Sequence, residues 1–248
     1  DSGVKGCQKK IGEYIHKIGN PRQTINAVIL THSHPDHIGA AKSIKKEYAC
    51  CVYGCQGERD WIEDTELQYK ERPIPNFHEL VEGPVMLDRI IKDKDSICLE
   101  PGIDLEVINS SGHSRESLSF YYRQEQMLFT GDAIPSADDV PIYENSESSI
   151  HTLKRLGSQG EVRLYCPAWD KVYDKEQGLH TIDLAISQME RICNITRQYA
   201  DSWRPEMTQD EVFCLLCRDL EMQKWEKHPL FKWSVFKDIY RLKEAQEK

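Results

Sequence analysis

Thr31-His32-Ser33-His34-Pro35-Asp36-His37 sets three imidazoles and a carboxylate within six residues, directly after the apolar run 26–30. A compact apolar run without alternation predicts a strand buried on both faces. In extended backbone, residues two apart point the same way, so His32 and His34 can converge on one point. Pro35 turns the chain, and Asp36 falls where a helix N-cap would sit. His37 then opens that helix, so Asp36 and His37 can face a second point close to the first. Imidazole and carboxylate suit a borderline ion such as zinc, and neutral His is cheaply available near neutral pH. The competing reading is a polar loop that binds nothing. Four such donors immediately behind a buried strand weigh against it.

The rest of the chain sets the frame. Its 248 residues, 39% hydrophobic and 9% aromatic, are enough for a sizeable core. A net charge of −9 and a pI of about 5.5 disfavour nucleic acid as a partner, because phosphate binding wants a basic face. No apolar run approaches bilayer-spanning length and no signal peptide is visible, so a cytoplasmic location is expected and a membrane partner is not. The chain opens on Asp1-Ser2-Gly3 without an initiator Met, which reads as a fragment or as internal numbering. Nine Cys, an odd count with no secretory signal, read as reduced thiols. The C-x-x-C of Cys214 and Cys217 lies on an apolar-periodic helix and reads as two small core residues. Cys50, Cys51 and Cys55 are expected to be buried on a short strand and turn.

Along the chain, helices are predicted over 8–18, 38–49, 57–65, 146–156 and 182–199, and strands over 51–53, 89–92, 104–109, 117–122, 127–130 and 162–166. Residues 66–86, with Pro73, Pro75 and Pro84, read as irregular. They form either a lid presenting Tyr69, Phe77 and His78 or a surface excursion with its own apolar cluster. Beyond Pro205 the pattern is helical, over 208–220 and 230–245. The expected organisation is an α/β domain over 1–204 and a helical extension over 205–248. Asn194-Ile195-Thr196 reads as a chance sequon within a helix, and Asp138-Asp139 as pocket mouth or solvated loop.

His32-x-His34-x-Asp36-His37 resembles the signature of the metallo-β-lactamase superfamily. Ser111-Gly112-His113-Ser114 looks like the family's Gly-His segment, and Phe129-Thr130-Gly131-Asp132-Ala133 like its Gly-Asp segment. Asp1-Ser2-Gly3 is similar to the Asp-Thr/Ser-Gly before the first helix. The agreement in order and spacing runs from residue 1 to about 200. The resemblance implies an αββα sandwich lacking its first strands. It implies His32, His34 and His113 at one metal site, Asp36 and His37 at a second, and Asp132 bridging. It further implies one or two zinc ions, or iron or manganese, and a metal-bound hydroxide as nucleophile, with Asp36 orienting it and moving its proton.

The pattern breaks at Cys166-Pro167-Ala168-Trp169-Asp170, where the family's Pro-Gly-His-Gly has its last His ligand. Indole offers a donor and no lone pair. Asp170 can repair the second site with an oxygen, favouring harder metals; His180 is a poorer substitute. Otherwise the second site is weak or empty, leaving a mononuclear enzyme or an inactive relative, and a weakened second site is the favoured expectation. Trp169 itself is expected to pack in the core. The leading expectation is hydrolysis of a small ester, thioester or lactone. A phosphodiesterase or endoribonuclease, which the C-terminal layout resembles, leans harder on two metals. A mononuclear iron dioxygenase and a degenerate metal-binding module with a partner-binding tail complete the field. The tail can equally cover a sheet edge or make a homodimer.

Overall fold

The computed structural model describes residues 1–19, 24–136, 139–169, 171–204 and 206–246. Two compact units divide the chain. The first comprises Asp1–Ile97, Glu106–Asn109 and Glu116–Leu118, and the second Cys98–Leu105, Ser110–Arg115 and Ser119–Lys248.

In the first unit, helix α1 (Cys7–Ile18) precedes strand β1 (Ala27–Ile29), short helix α2 (Pro35–Ile38), α3 (Ala41–Tyr48) and β2 (Cys51–Gly54). Then come α4 (Arg59–Glu63), α5 (Thr65–Glu71), α6 (Phe77–Leu80) and β3 (Arg89–Ile90). The strands form a parallel sheet in the order β1-β2-β3, with Val28 beside Val52. Val28, Leu30, Ile38, Ile44, Val52, Ile62 and Phe77 are the centre of its core. Val28 and Leu30 are buried while Ala27 and Ile29 are only partly so, so β1 alternates instead of being buried on both faces.

The single helix expected over 38–49 is broken at Gly39-Ala40. A methyl on Gly39 would lie 2.2 Å from the Leu80 carbonyl oxygen, 2.6 Å from that of Pro35 and 2.7 Å from the Lys5 nitrogen. Lys5 N–H donates to Leu80 O at 2.7 Å across this point. Backbone crosses backbone here, and only glycine leaves room. The expected irregular stretch also changes. Residues 65–71 are helical because Asp64 caps α5, accepting from the N–H groups of Glu66 and Leu67. Phe77 is core, whereas Tyr69 and His78 pack against each other at the surface with ring centroids 4.8 Å apart.

The remaining strands are β4 (Ser96–Glu100), β5 (Ile103–Asn109), β6 (Leu118–Tyr122), β7 (Met127–Gly131), β8 (Leu164–Pro167) and β9 (Tyr173–Asp174), ordered β4-β5-β6-β7-β8-β9 in one sheet. Strands β4 and β9 add to those expected. In the second unit, β7 runs antiparallel to β6 and parallel to β8, with an irregularity between Phe129 and Gly131. Its helices are α7 (Ser146–Gly157), α8 (Lys175–Ser202), α9 (Gln209–Asp219) and α10 (Pro229–Gln246). Asn145, Asp174 and Thr208 cap α7, α8 and α9, the last as a full capping box with Glu211. Both α9 and α10 pack on α8, burying Val212, Phe213, Leu216, Phe231, Val235 and Ile239.

All nine cysteines are free. Cys50, Cys55 and Cys217 are buried as expected, but Cys51 is exposed. Among the described residues, no helix is long and apolar enough to cross a membrane.

Candidate functional site

In the first unit the His-rich stretch leaves the carboxyl end of β1, whose successor Leu30 still bonds to Tyr53 of β2. His32, His34 and His37 are 1%, 3% and 3% exposed. Their rings cluster, with centroids of His32 and His34 4.5 Å apart and of His32 and His37 4.0 Å apart. Asp36 is not the helix cap: His34 occupies the cap and Pro35 the first turn, leaving Asp36 one residue into α2. Its Oδ2 lies 3.6 Å from His37 Nε2, too far for a hydrogen bond.

The protein fixes which ring nitrogens carry protons. The Asp1 carboxylate only accepts, and it takes the Thr31 N–H at 2.7 Å and the Thr31 hydroxyl at 2.9 Å. His37 Nδ1, 2.9 Å from Asp1 Oδ2, therefore donates. The Thr31 hydroxyl, having spent its proton on Asp1, accepts from His32 Nδ1 at 2.9 Å. On both rings this leaves the lone pair on Nε2, the arrangement that outer partners impose on metal-ligating histidines.

Around the backbone, Ser33 donates its hydroxyl to the buried Glu58, and its carbonyl takes the Gln68 side-chain N–H at 2.7 Å. Glu58 also accepts the Glu116 N–H at 2.8 Å. These supports went unseen in the sequence, where neither Glu58 nor Gln68 belongs to a motif.

In the second unit, His113 follows Gly112, whose φ of +132° and 2.4 Å approach to the Ser149 nitrogen exclude any side chain. His113 Nδ1 donates to Ile142 O at 2.8 Å, so its lone pair is on Nε2, 3.5 Å from Asp132 Oδ2. Parallel pairing sets Gly131 beside Pro167. Asp132 and Trp169 therefore emerge from the carboxyl ends of neighbouring strands. Trp169 is 55% exposed, not packed in the core as its residue type suggested. Its indole N–H donates to Asp132 Oδ2 at 3.2 Å. Asp170 lies outside the described residues, as does Asp138. His180 is exposed on α8.

The donor chemistry fits a metal. His32 Nε2 and His34 Nδ1 lie 3.0 Å apart, close to the edge of about 3.3 Å between two nitrogens of a tetrahedral zinc site. Ligating atoms of His32 and His37 also lie within 4.8 Å. Such a hub of buried ring nitrogens in a chain of net charge −9 suits a cation.

The chain belongs to the metallo-beta-lactamase superfamily, whose family model matches residues 1–169. Members of this superfamily bind metal ions, typically zinc. Among its relatives, the probable metallo-hydrolase YqgX of Bacillus subtilis is 32% identical over 134 residues, 54% of this chain and 59% of that protein. A hydroxyacylglutathione hydrolase of Pelagibacter ubique is 25% identical over 56% of this chain and 49% of its own length. The chain thus spans about half the length of the curated relatives it matches. A metallo-beta-lactamase family protein from Thermus thermophilus superposes with a TM-score of 0.72 at 16% identity, covering 99% of this chain and 84% of that one. A beta-lactamase domain protein from Burkholderia ambifaria gives 0.69 at 16% identity, over 100% and 77%. The mixed α/β class read from the sequence is that of these proteins.

Proposed function

We propose that this chain is a metal-dependent hydrolase acting on the carbonyl of a small ester, thioester or lactone, thioester foremost. The superfamily's motif pattern assigns His32, His34 and His113 as ligands of the principal metal, and Asp36, His37 and Asp132 to a weaker second position. The observation that carries the reading is the pair His32 Nε2 and His34 Nδ1, 3.0 Å apart and buried, with the outer nitrogen of His32 tied to Thr31. Relatives named as hydroxyacylglutathione hydrolases, which cleave a thioester, support the substrate class. The free thiols suit a reducing compartment such as the cytoplasm.

A bound zinc supplies Lewis acidity, lowering the pKa of water toward about 7 and polarising the carbonyl. The chain's own residues do the rest. Asp1, through Thr31 and His37, keeps two imidazoles in the tautomer that presents Nε2. Asp36, with its side chain 29% exposed, takes the proton of the attacking water and returns it to the leaving group. A thiolate leaving group needs little help, so one well-held metal suffices.

The test is hydrolysis of acyl-glutathione thioesters, aryl esters and bis-aryl phosphodiesters by purified chain before and after chelation. Thioester cleavage that chelator abolishes and zinc restores supports the reading. Cleavage of the phosphodiester alone, or of nothing by zinc-loaded folded protein, overturns it.

A further inference from the structure

The C-terminal helix α10 reaches His113 through a single peptide group. The carbonyl of Ile142 accepts the His113 Nδ1 proton at 2.8 Å. The N–H of the same peptide, on Tyr143, donates to Ser234 Oγ of α10 at 3.0 Å. Both ends of one peptide dipole are thus engaged, one by the imidazole and one by a hydroxyl 91 residues further along. Hydrogen bonds in series through a peptide polarise one another in a low dielectric, and this one has no water to fall back on. Ser234 is 0% and Tyr143 1% exposed.

The rest of that face of α10 holds the same segment. Ser234, Asp238 and Arg241 stand at helical spacing on one side. Asp238, also 0% exposed, accepts the Ser146 hydroxyl and pairs with Arg241 at 2.9 Å. Arg241 continues to Glu147 at 3.0 Å. From the other direction, the Glu144 and Asn145 N–H groups donate to Gly112 O at 2.8 and 3.1 Å. Segment 142–147 is therefore a bracket between α10 and the turn that carries His113.

We propose that Ser234 is a positioning residue for His113: by holding the 142–143 peptide it fixes the His113 ring with its proton on Nδ1, the tautomer whose Nε2 lone pair can serve a metal. The tail then works as the outer support of a ligand, not as a cover for a sheet edge. This rests on the assignment of His113 as a ligand made above.

The experiment measures zinc affinity of the full chain by chelator competition, for wild type and the variants Ser234→Ala, Ser234→Thr and His113→Ala, with circular dichroism as the check of fold. Partners of metal-binding histidines typically matter by 10–100-fold, and Ser234 acts one bond further out, so a loss of about tenfold is expected in Ser234→Ala. Ser234→Thr, which keeps the hydroxyl, should restore most of it. Nitrogen NMR of the histidine rings in metal-free protein gives a second readout. His113 should be a single Nδ1–H tautomer in wild type and a mixture in Ser234→Ala. Wild-type affinity and a wild-type tautomer in folded Ser234→Ala overturn the inference. If His113→Ala also binds zinc unchanged, it is the ligand assignment that has failed. If His113→Ala weakens binding and Ser234→Ala does not, the positioning role alone has failed.

Discussion

The indole N–H of Trp169 donates to Asp132 Oδ2, the same oxygen that lies 3.5 Å from His113 Nε2. That carboxylate oxygen accepts from the indole and faces the lone pair of a ring nitrogen, two acceptors that a cation between them would satisfy. An N–H in that place takes up a lone pair that a bridging oxygen would offer to a second ion, and indole gives no lone pair in return. Trp169→His is expected to raise zinc content from about one ion per chain to about two, read by elemental analysis of gel-filtered protein. Two ions in the wild type would show that Trp169 does not limit the second position.

Glu58 is 1% exposed and joins Ser33, between the two leading histidines, to the Glu116 backbone. Glu58→Ala leaves the buried Ser33 hydroxyl and the part-buried Glu116 N–H unmatched and should cost about 3 kcal/mol. The shift in urea midpoint measures this, and Glu58→Gln, which keeps an acceptor, should recover part of it.

Gly112→Ala should destabilise by at least about 2 kcal/mol, since a methyl there meets the Ser149 backbone at 2.4 Å at a φ of +132°. Zinc affinity should fall with it, because the Gly112 carbonyl anchors residues 144 and 145. A folded variant with unchanged thermal midpoint would mean that the turn relaxes freely.

Burial, with Glu226 and Cys214 adding, pushes the Cys217 thiol up to about 12. Burial also raises Cys55, beside Glu58 and Glu116. In the unfolded chain both thiols ionise near pH 8.5. Above that pH the unfolded state holds fewer protons than the folded one, so stability is intact below about pH 8.5 and falls as pH rises toward 12. Denaturant titrations at pH 7.5 and 10 check the sign. Alkylation of the native chain at pH 8, followed by mass spectrometry, should label exposed Cys51 well before Cys55 or Cys217.

Much of this was readable before the structure, and for a definable reason. The chemistry of His32, His34, Asp36 and His37 is carried by residue type and short spacing, which a sequence displays directly, whereas His113 and Asp132 are named only through the resemblance to the superfamily. The long helices α7 to α10 announce themselves by periodicity and by caps such as Thr208 with Glu211. What escaped depends on distant partners. The break at Gly39 comes from Lys5 and Leu80 crossing beside it. Strand β4 is exposed at every position but Ile97, apart from which it shows no inward face. Helix α5 was masked by the prolines after it, although Asp64 was available as a cap. Trp169 followed the habit of its residue type only until Asp132 appeared next to it.

The superfamily's family model stops at residue 169, yet the material that holds the second unit together does not. Leu153 and Leu156 of α7, 1% and 0% exposed, lie on a helix whose main packing partner is α8, and the Tyr143 amide is served by Ser234. A piece trimmed to the matched residues would bare both leucines, at about 1.5–3 kcal/mol each, and strand that amide. The stretch that the family model matches is shorter than the stretch over which the second unit coheres.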